Sequence, residues 1–385
     1  MKSKIKLVAS VLALAVATTA QASVTITAIP DTFGGAGSND ASYAFGINSS
    51  GQVVGRAITA AGNYNAFLWQ NGTTTNLGTL GGSYSQANAI NTAGQVAGVA
   101  NGSGNGVQYA FLWQNSAMTS LGTFGGAFSY GTAINNNGQV AGYAYTSGNA
   151  AQDAFLWQNG TMTNLGTLGG ANSVANGINS NGQVVGGANN TAGGQSAFLW
   201  QNGVMTNLGD SFGGNQSQAN AINTAGQVVG YASIVNGNTN AFLWQNGVMT
   251  NLGTLGGTNS DATAINTAGQ VAGYATTASG AQDAFLWQNG TMTDLNSYLA
   301  TGSGWVLQTA TAINDNGQIA GTGTLNGVTT AFVMNLGTST SSATTSVPLP
   351  GSIALLLLGG LGLVGVARQM KKRSEKRVQA NSKIG

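Results

Sequence analysis

Few residues in this sequence could carry out chemistry, and almost all of them are carboxylates or hydroxyls. Between residues 23 and 346 the chain has no His, Cys, Lys or Glu. Nucleophilic catalysis by serine, cysteine or lysine therefore lacks either its nucleophile or its base. Hydrolysis of a glycosidic bond by an acid and a base would need only two carboxylates, about 5 to 10 Å apart.

Eight aspartates in this region could supply such a pair. Most of them stand at or near turns, where Asp is favoured because its side chain bonds to nearby backbone. Asp261 with Asp283, or Asp294 with Asp315, could act as acid and base, but nothing local supports either pair. We therefore predict no catalytic residue and treat an Asp-dependent hydrolase as an alternative. The eight are Asp31, Asp40, Asp153, Asp210, Asp261, Asp283, Asp294 and Asp315.

The charge distribution bears on cofactors and partners. No Asp-x-Asp-x-Asp pattern of a calcium loop occurs, so we predict neither a metal site nor a cofactor. Arg56 is the only cation between residues 23 and 346, so eight aspartates leave that region with a net charge of −7. Nucleic acid requires a Lys- and Arg-rich surface, which excludes it as a partner.

The aspartates and the other polar side chains of this region lie within a sequence repeat of 43 or 44 residues, which must position them. Ala-Phe-Leu-Trp occurs six times, and Ala331-Phe-Val-Met334 is a degenerate seventh copy. Ile-Asn-x-x-Gly-Gln occurs seven times. The tryptophans are Trp69, Trp113, Trp157, Trp200, Trp244 and Trp287, and the isoleucines are Ile47, Ile90, Ile134, Ile178, Ile222, Ile265 and Ile313.

Each unit divides into four short segments bounded by turn residues, which in the third unit are 130–135, 139–144, 153–158 and 161–165. Asn159-Gly160 separates the last two and predicts a hairpin, because both residues tolerate the positive φ of a type I′ turn. Alternation in the third segment places Phe155 and Trp157 on one face and apolar residues on the other. We therefore interpret the tryptophans as core between sheets, and the whole region as all-β.

The ends of the repeat region predict how it closes. Residues 25–29 match a fourth segment, 205–208, so the chain enters on a fourth strand and leaves on a third. Twenty-eight strands result, four for each of seven repeats of about 44 residues. A seven-bladed β-propeller whose N-terminal strand completes the last blade fits this count. The alternative is an open β-solenoid or another β-repeat fold.

Three short sequence motifs in the repeat resemble those of a known family. They are residues 66–69 (Ala-Phe-Leu-Trp), 77–82 (Leu-Gly-Thr-Leu-Gly-Gly) and 90–98 (from Ile-Asn to Val-Ala-Gly). They resemble the HAF repeat of bacterial extracellular proteins across most of residues 24–336. The resemblance implies an architecture, since that family has no settled activity. The family's His is replaced in every copy, by Asn65, Tyr109, Asp153, Ser196, Asn240, Asp283 and Thr330.

The first 22 residues have the features of a secretory signal peptide. Lys2, Lys4 and Lys6 precede an apolar run at 7–16, and Ala20 and Ala22 form a small-x-small cleavage site. We expect the general secretion machinery to export the chain, and the mature protein to begin near Ser23.

The other end has the parts of a membrane sorting signal. Residues 351–367 are uncharged and just long enough for a transmembrane helix. A basic cluster behind them predicts a cytoplasmic tail and an external repeat domain. A Ser/Thr-rich stalk at 337–346 precedes the segment. The basic cluster begins with Arg368, Lys371, Lys372 and Arg373.

The motif Val347-Pro348-Leu349-Pro350 stands between the stalk and this helix. The motif is followed by the apolar segment and then by the basic tail, and in this order residues 347–385 resemble the Val-Pro-Leu-Pro variant of the PEP-CTERM sorting signal of Gram-negative bacteria. That resemblance implies insertion into the inner membrane, processing by an exosortase, and release to the cell surface or extracellular space. An ordinary C-terminal membrane anchor is the alternative.

These features predict a non-catalytic exported protein that interacts with the cell surface or with an extracellular polymer such as polysaccharide. A glycan-binding, lectin-like propeller is the second hypothesis, because the loops are rich in Asn, Thr and Gly. We expect any binding face in the variable loops between the second and third strands, such as 146–152 and 278–282.

Overall fold

The computed structural model describes residues 24–30, 33, 41–209 and 212–336. The signal peptide, the stalk, the sorting motif and the segment 351–367 lie outside the described residues. Across the described ranges, no helix is long and apolar enough to cross a membrane.

The described residues form twenty-eight β-strands and two short 3-10 helices, Ser147–Asn149 and Leu295–Tyr298. The strands form seven antiparallel four-stranded units, which we call blades.

Blade 1 holds β2 (Ser42–Ile47), β3 (Val53–Ile58), β4 (Tyr64–Gln70) and β5 (Thr73–Asn76). Blade 2 holds β6 (Gly81–Ile90), β7 (Val96–Gly102), β8 (Gln108–Gln114) and β9 (Ala117–Ser120). Blade 3 holds β10 (Gly125–Ile134), β11 (Val140–Thr146), β12 (Gln152–Gln158) and β13 (Thr161–Asn164). Blade 4 holds β14 (Gly169–Ile178), β15 (Val184–Asn190), β16 (Gln195–Gln201) and β17 (Val204–Gly209). Blade 5 holds β18 (Gly213–Ile222), β19 (Val228–Ile234), β20 (Thr239–Gln245) and β21 (Val248–Gly253). Blade 6 holds β22 (Gly256–Ile265), β23 (Val271–Thr277), β24 (Gln282–Gln288) and β25 (Thr291–Asp294). Blade 7 holds β26 (Trp305–Ile313), β27 (Gln318–Leu325), β28 (Val328–Asn335) and, from the N-terminus, β1 (Thr25–Ile29).

Turn chemistry determines the shape of each blade. In blade 3, Asn159 and Gly160 have φ values of 49° and 85°, as a type I′ hairpin requires, and Gln158 pairs with Thr161 across the turn. The hairpin predicted from Asn-Gly is confirmed. The first strand is longer than predicted: it begins at Gly125 instead of 130, because the Gly-Gly of the preceding connection already pairs with β11 through a β-bulge.

The N-terminal strand completes blade 7, as predicted. All five residues of β1 pair antiparallel with β28, from Thr25 opposite Asn335 to Ile29 opposite Ala331. Ser42, the first residue of blade 1, joins the two strands: its Oγ donates to the carbonyl of Ile29 at 2.6 Å and accepts from the amide of Ala331 at 3.0 Å. Both ends of the described chain therefore meet in one sheet.

Seven buried asparagines link the blades into a ring. Each is the Asn of an Ile-Asn motif, and its Nδ2 donates to the backbone carbonyl of the corresponding Asn in the next blade at 2.9–3.1 Å. The last of these bonds runs from Asn314 in blade 7 back to Asn48 in blade 1. The described blades therefore form a closed circle. The seven are Asn48, Asn91, Asn135, Asn179, Asn223, Asn266 and Asn314.

The core lies between neighbouring blades. The Phe of every Ala-Phe segment is completely buried, whereas the Trp two residues later is buried or half-buried against the same clusters. The prediction that the tryptophans are core is confirmed. Glycine lets the second strand pass beneath this Phe: a Cβ on Gly142 would lie 1.9 Å from the carbonyl oxygen of Tyr130 and 2.9 Å from the ring of Phe155.

Candidate functional site

The antiparallel order of strands gives the ring two different ends. The turns between first and second strands and between third and fourth strands lie at one end, which we call the Asn end because it carries the asparagine ring. The loops between second and third strands, together with the connections to the next blade, lie at the other end, the loop end.

Side chains at two repeat positions change from blade to blade, although the core around them does not. The positions are register partners on the first and second strands of a blade, and we call them the variable pairs. Sequence reasoning missed them, although aligning the repeats on Ile-Asn-x-x-Gly-Gln-x-x-Gly exposes the second position as the next residue. The pairs are Tyr43/Arg56, Gln86/Val99, Tyr130/Tyr143, Val174/Gly187, Gln218/Tyr231, Asp261/Tyr274 and Thr309/Thr322.

The variable pairs bring aromatic rings and amides together. The rings of Tyr130 and Tyr143 stack with centroids 4.7 Å apart, and the hydroxyl of Tyr130 donates to Oε1 of Gln108 in blade 2. Burial, with the neighbouring Tyr130 as a second cause, raises the pKa of Tyr143 to about 12. These phenols are therefore neutral at physiological pH and act as hydrogen-bonding groups.

A cavity of about 390 Å³ opens between blades 3 and 4, beside the smallest variable pair. Gly187 gives the side chain of Gln195 room to lie along the cavity wall, since a Cβ there would lie only 2.3 Å from Nε2 of Gln195. The predicted loop 146–152 supplies part of the wall, whereas 278–282 lies elsewhere, in blade 6. The polar and aromatic lining consists of Tyr145, Asn149, Gln152, Asn172, Ser173, Asn189 and Gln195.

Several of these lining groups are held by hydrogen bonds or ring contacts. Tyr145 meets the ring of Phe128 edge to face at 5.7 Å. The Oδ1 of Asn172 accepts from the backbone N–H of Gln152 at 3.0 Å. Gln195 donates from Nε2 to Oε1 of Gln218 at 3.0 Å. The cavity thus offers ordered amides and one phenol ring, and its lining carries no charged side chain.

A second cavity, of about 210 Å³, lies on the ring at the Asn end. The seven Ile-Asn motifs and the residue after each form its wall. The asparagines there already bond to their neighbours, and Asp315 is the one charged residue of the lining. This cavity is the inner surface of the ring that closes the fold.

Among the described aspartates, no hydrogen bond joins Asp261 to Asp283 or Asp294 to Asp315. Asp261 accepts from Asn220 and Tyr274, and Asp315 accepts from the amide and hydroxyl of Thr267. Asp283 instead lies beside Asp294, and burial together with that carboxylate raises its pKa. Asp31, Asp40 and Asp210 lie outside the described residues. Within the described ranges, no group of three or more acidic, His or Cys side chains could hold a metal ion.

Asp261 should make stability depend on pH. Burial raises its pKa from 3.8 to about 7, although Tyr274 and Asn220 donate to the carboxylate at 3.1 and 2.7 Å and lower it. The fold favours the protonated acid, so its contribution is complete below about pH 4 and is lost as pH rises through 7.

We expect Asp261→Asn to stabilise the protein at pH 8 by up to about 4 kcal/mol, at roughly 1.4 kcal/mol per pKa unit, and to have little effect at pH 4. Urea unfolding at both pH values checks this, with Asp153→Asn, whose carboxylate is bonded to Asn164 in blade 3, as the control. Equal effects of Asp261→Asn at the two pH values would contradict the assignment.

Comparison with solved structures identifies the fold as a β-propeller. The β-propeller domain of the Trilobed protease from Pyrococcus furiosus, described as having an open velcro topology, matches with a TM-score of 0.51 at 8% identity, over 80% of this chain and 98% of that one. A puromycin-hydrolyzing peptidase from Mycobacterium tuberculosis matches with a TM-score of 0.47 at 11% identity, over 80% of this chain and 55% of that one. TolB from Acinetobacter baumannii matches with a TM-score of 0.44 at 11% identity, over 64% and 62%. No protein-family model and no curated protein sequence matches the chain.

Proposed function

We propose that this protein is a non-catalytic β-propeller that is exported and binds extracellular polysaccharide at its loop end. The cavity between blades 3 and 4 carries this proposal. Its size is within the range of small-ligand sites, and its lining combines amides with an aromatic ring. Sugars present many hydroxyls and an apolar ring face, which such amides and a tyrosine can contact.

The chemistry of the described residues favours binding over catalysis. The lining of the cavity holds no carboxylate, and Arg56 is the only cation among residues 23–346. Asp283 beside Asp294 is the one observation that favours a hydrolase. Asp294, however, also accepts from the amide of Asn296 at 2.8 Å and caps a 3-10 helix, which is a structural role.

The family to which the protein belongs and its cellular location are part of the same proposal. The repeat motifs support membership of the HAF-repeat proteins, and the two ends support export through the general secretion machinery. The segment 351–367 would hold the chain in the inner membrane until an exosortase acts at the motif 347–350. The propeller would then be displayed on the surface of a Gram-negative cell or released into the extracellular matrix.

A glycan array with the purified chain tests the proposed function. We expect binding to at least one polysaccharide. Tyr145→Ala should weaken that binding at least tenfold, because a few aromatic side chains usually supply most of the binding energy of a site. Tyr298→Ala is the matched control: Tyr298 is 38% exposed and lies outside the cavity. Binding to no glycan, or equal binding by both variants, would contradict the proposal, and release of reducing ends would indicate a hydrolase.

A further inference from the structure

Arg56 has no acidic hydrogen-bond partner among the residues that the structure describes. It is the only Lys or Arg between residues 23 and 346, and it stands on β3 opposite Tyr43 as one of the variable pairs. All of its hydrogen bonds within the described part of the chain go to neutral groups. A half-buried charge is costly unless it is paired, so this arrangement calls for an explanation.

Aromatic rings surround the guanidinium. Its Cζ lies 4.7 Å from the ring centroid of Tyr64, 4.9 Å from that of Tyr43 and 5.9 Å from that of Phe45. Tyr43 and Tyr64 also meet edge to face, with centroids 6.0 Å apart. Such contacts attract a cation and orient its plane, but they use none of its N–H donors.

The donors of Arg56 are only partly used. Nη1 donates to the hydroxyl of Tyr84 at 3.0 Å and to Oε1 of Gln86 at 2.9 Å, both in blade 2. Nε is buried and has no partner. Nη2 bonds to none of the described residues. Within the described part of the chain, the edge of the guanidinium formed by Nε and Nη2 is therefore unused, and this edge has the geometry to donate two parallel hydrogen bonds to a carboxylate.

We propose that Arg56 binds the carboxylate of a uronic acid unit, so that the polysaccharide bound by this protein is an acidic one. This inference rests on the proposed function. The carboxylate would accept from Nη2 and, after a small opening of the aromatic cage, from Nε. The sugar ring would lie against the tyrosines around Arg56, and Gln86 could bond to its hydroxyls.

The negative charge of the repeat region does not prevent this interaction. The described aspartates belong to blades 3, 6 and 7, and none of them bonds to Arg56. At physiological salt, exposed charges more than about 8 Å apart are largely screened. A short contact between guanidinium and carboxylate in an aromatic cage is screened much less.

Two probes with the same sugar backbone test the inference: oligogalacturonate and its uncharged methyl ester, titrated calorimetrically against the full chain. We expect the wild type to prefer the acid at least tenfold. Arg56→Gln should remove that preference by lowering affinity for the acid at least tenfold more than affinity for the ester, whereas Arg56→Lys, which retains charge but not the fork, should keep part of the preference. Tyr145→Ala should instead weaken both probes.

Four results would overturn the inference. The first is binding of the acid by Arg56→Gln as tightly as by wild type, and the second is equal loss of acid and ester in that variant, which would indicate a purely structural role. Stronger binding of dextran sulfate than of oligogalacturonate would assign the site to sulfate esters instead. Binding of sugars without any preference for the acid defeats only this inference, whereas binding of no sugar defeats the proposed function itself. Thermal melts of the variants, with Arg56→Lys as the milder change, separate lost binding from lost folding.

Discussion

Deletion of residues 24–29 is expected to lower the melting temperature by about 10 °C, because the deletion removes the fourth strand of blade 7. Ile29 is 0% exposed, and loss of such a side chain costs about 2 to 5 kcal/mol. The lost ladder bonds to β28 add roughly 0.5 to 1.5 kcal/mol each. At about 2.1 cal/mol/K per residue, the melting temperature of a domain of about 300 residues falls by about 1.5 °C per kcal/mol, so a loss of about 7 kcal/mol corresponds to about 10 °C. Scanning calorimetry measures it.

The deletion also exposes an edge. Without β1, the backbone groups of β28 that pair with it would face solvent, and an unpaired edge strand promotes association with other chains. We therefore expect the truncated protein to aggregate near its melting temperature. Thr25→Ala, a change at the exposed end of the same strand, serves as the control and should leave the melting temperature nearly unchanged.

Breaking the asparagine ring should also destabilise the fold strongly. Asn135 donates to the carbonyl of Asn179 at 3.0 Å and to Oε1 of Gln139, and its Oδ1 accepts from the amides of Asn137 and Gln139. Asn135→Ala removes all four bonds and leaves buried groups unsatisfied, each at about 1 to 3 kcal/mol. We expect a loss of about 3 kcal/mol in the free energy of unfolding, measured with urea.

A matched asparagine in a loop provides the control. Asn236 lies in the exposed loop of blade 5, where its Oδ1 accepts from the amide of Asn238. Asn236→Ala should therefore change the free energy of unfolding by no more than about 0.5 kcal/mol. If Asn135→Ala were as mild as this control, the ring would not be a source of stability.

Much of the fold follows from short-range chemistry in the repeat. Asn-Gly turns, alternation around each Phe and the matching phase of the two ends predict the hairpins, the buried strands and the place of β1. The ring of asparagines does not follow in the same way. The Asn in each Ile-Asn motif also caps its own turn, by accepting from the backbone amide four residues later and, in six of the seven, from the amide two residues later as well. Its second role depends on the rotation between blades, which no local pattern specifies.

The candidate site was harder to predict than the fold, and the aspartates show why. Asp283 and Asp294 are eleven residues apart, the same spacing as Asp153 and Asn164, which bond across the third and fourth strands of blade 3. Comparing equivalent positions between blades would therefore have found the pair. The cavity beside Gly187 is formed by side chains from two neighbouring blades around a residue that has no side chain. No local sequence pattern specifies that arrangement.

The closed ring is the central structural claim, because the asparagine ring and the pairing of β1 with β28 both belong to it. Its most direct test is the melting temperature of the chain without residues 24–29, measured with and without a synthetic peptide of sequence Val-Thr-Ile-Thr-Ala-Ile-Pro, which corresponds to residues 24–30. We predict a drop of about 10 °C that the peptide largely reverses by pairing with β28, since a ligand that binds only the folded state stabilises it. An unchanged melting temperature after the deletion would contradict closure by the N-terminal strand.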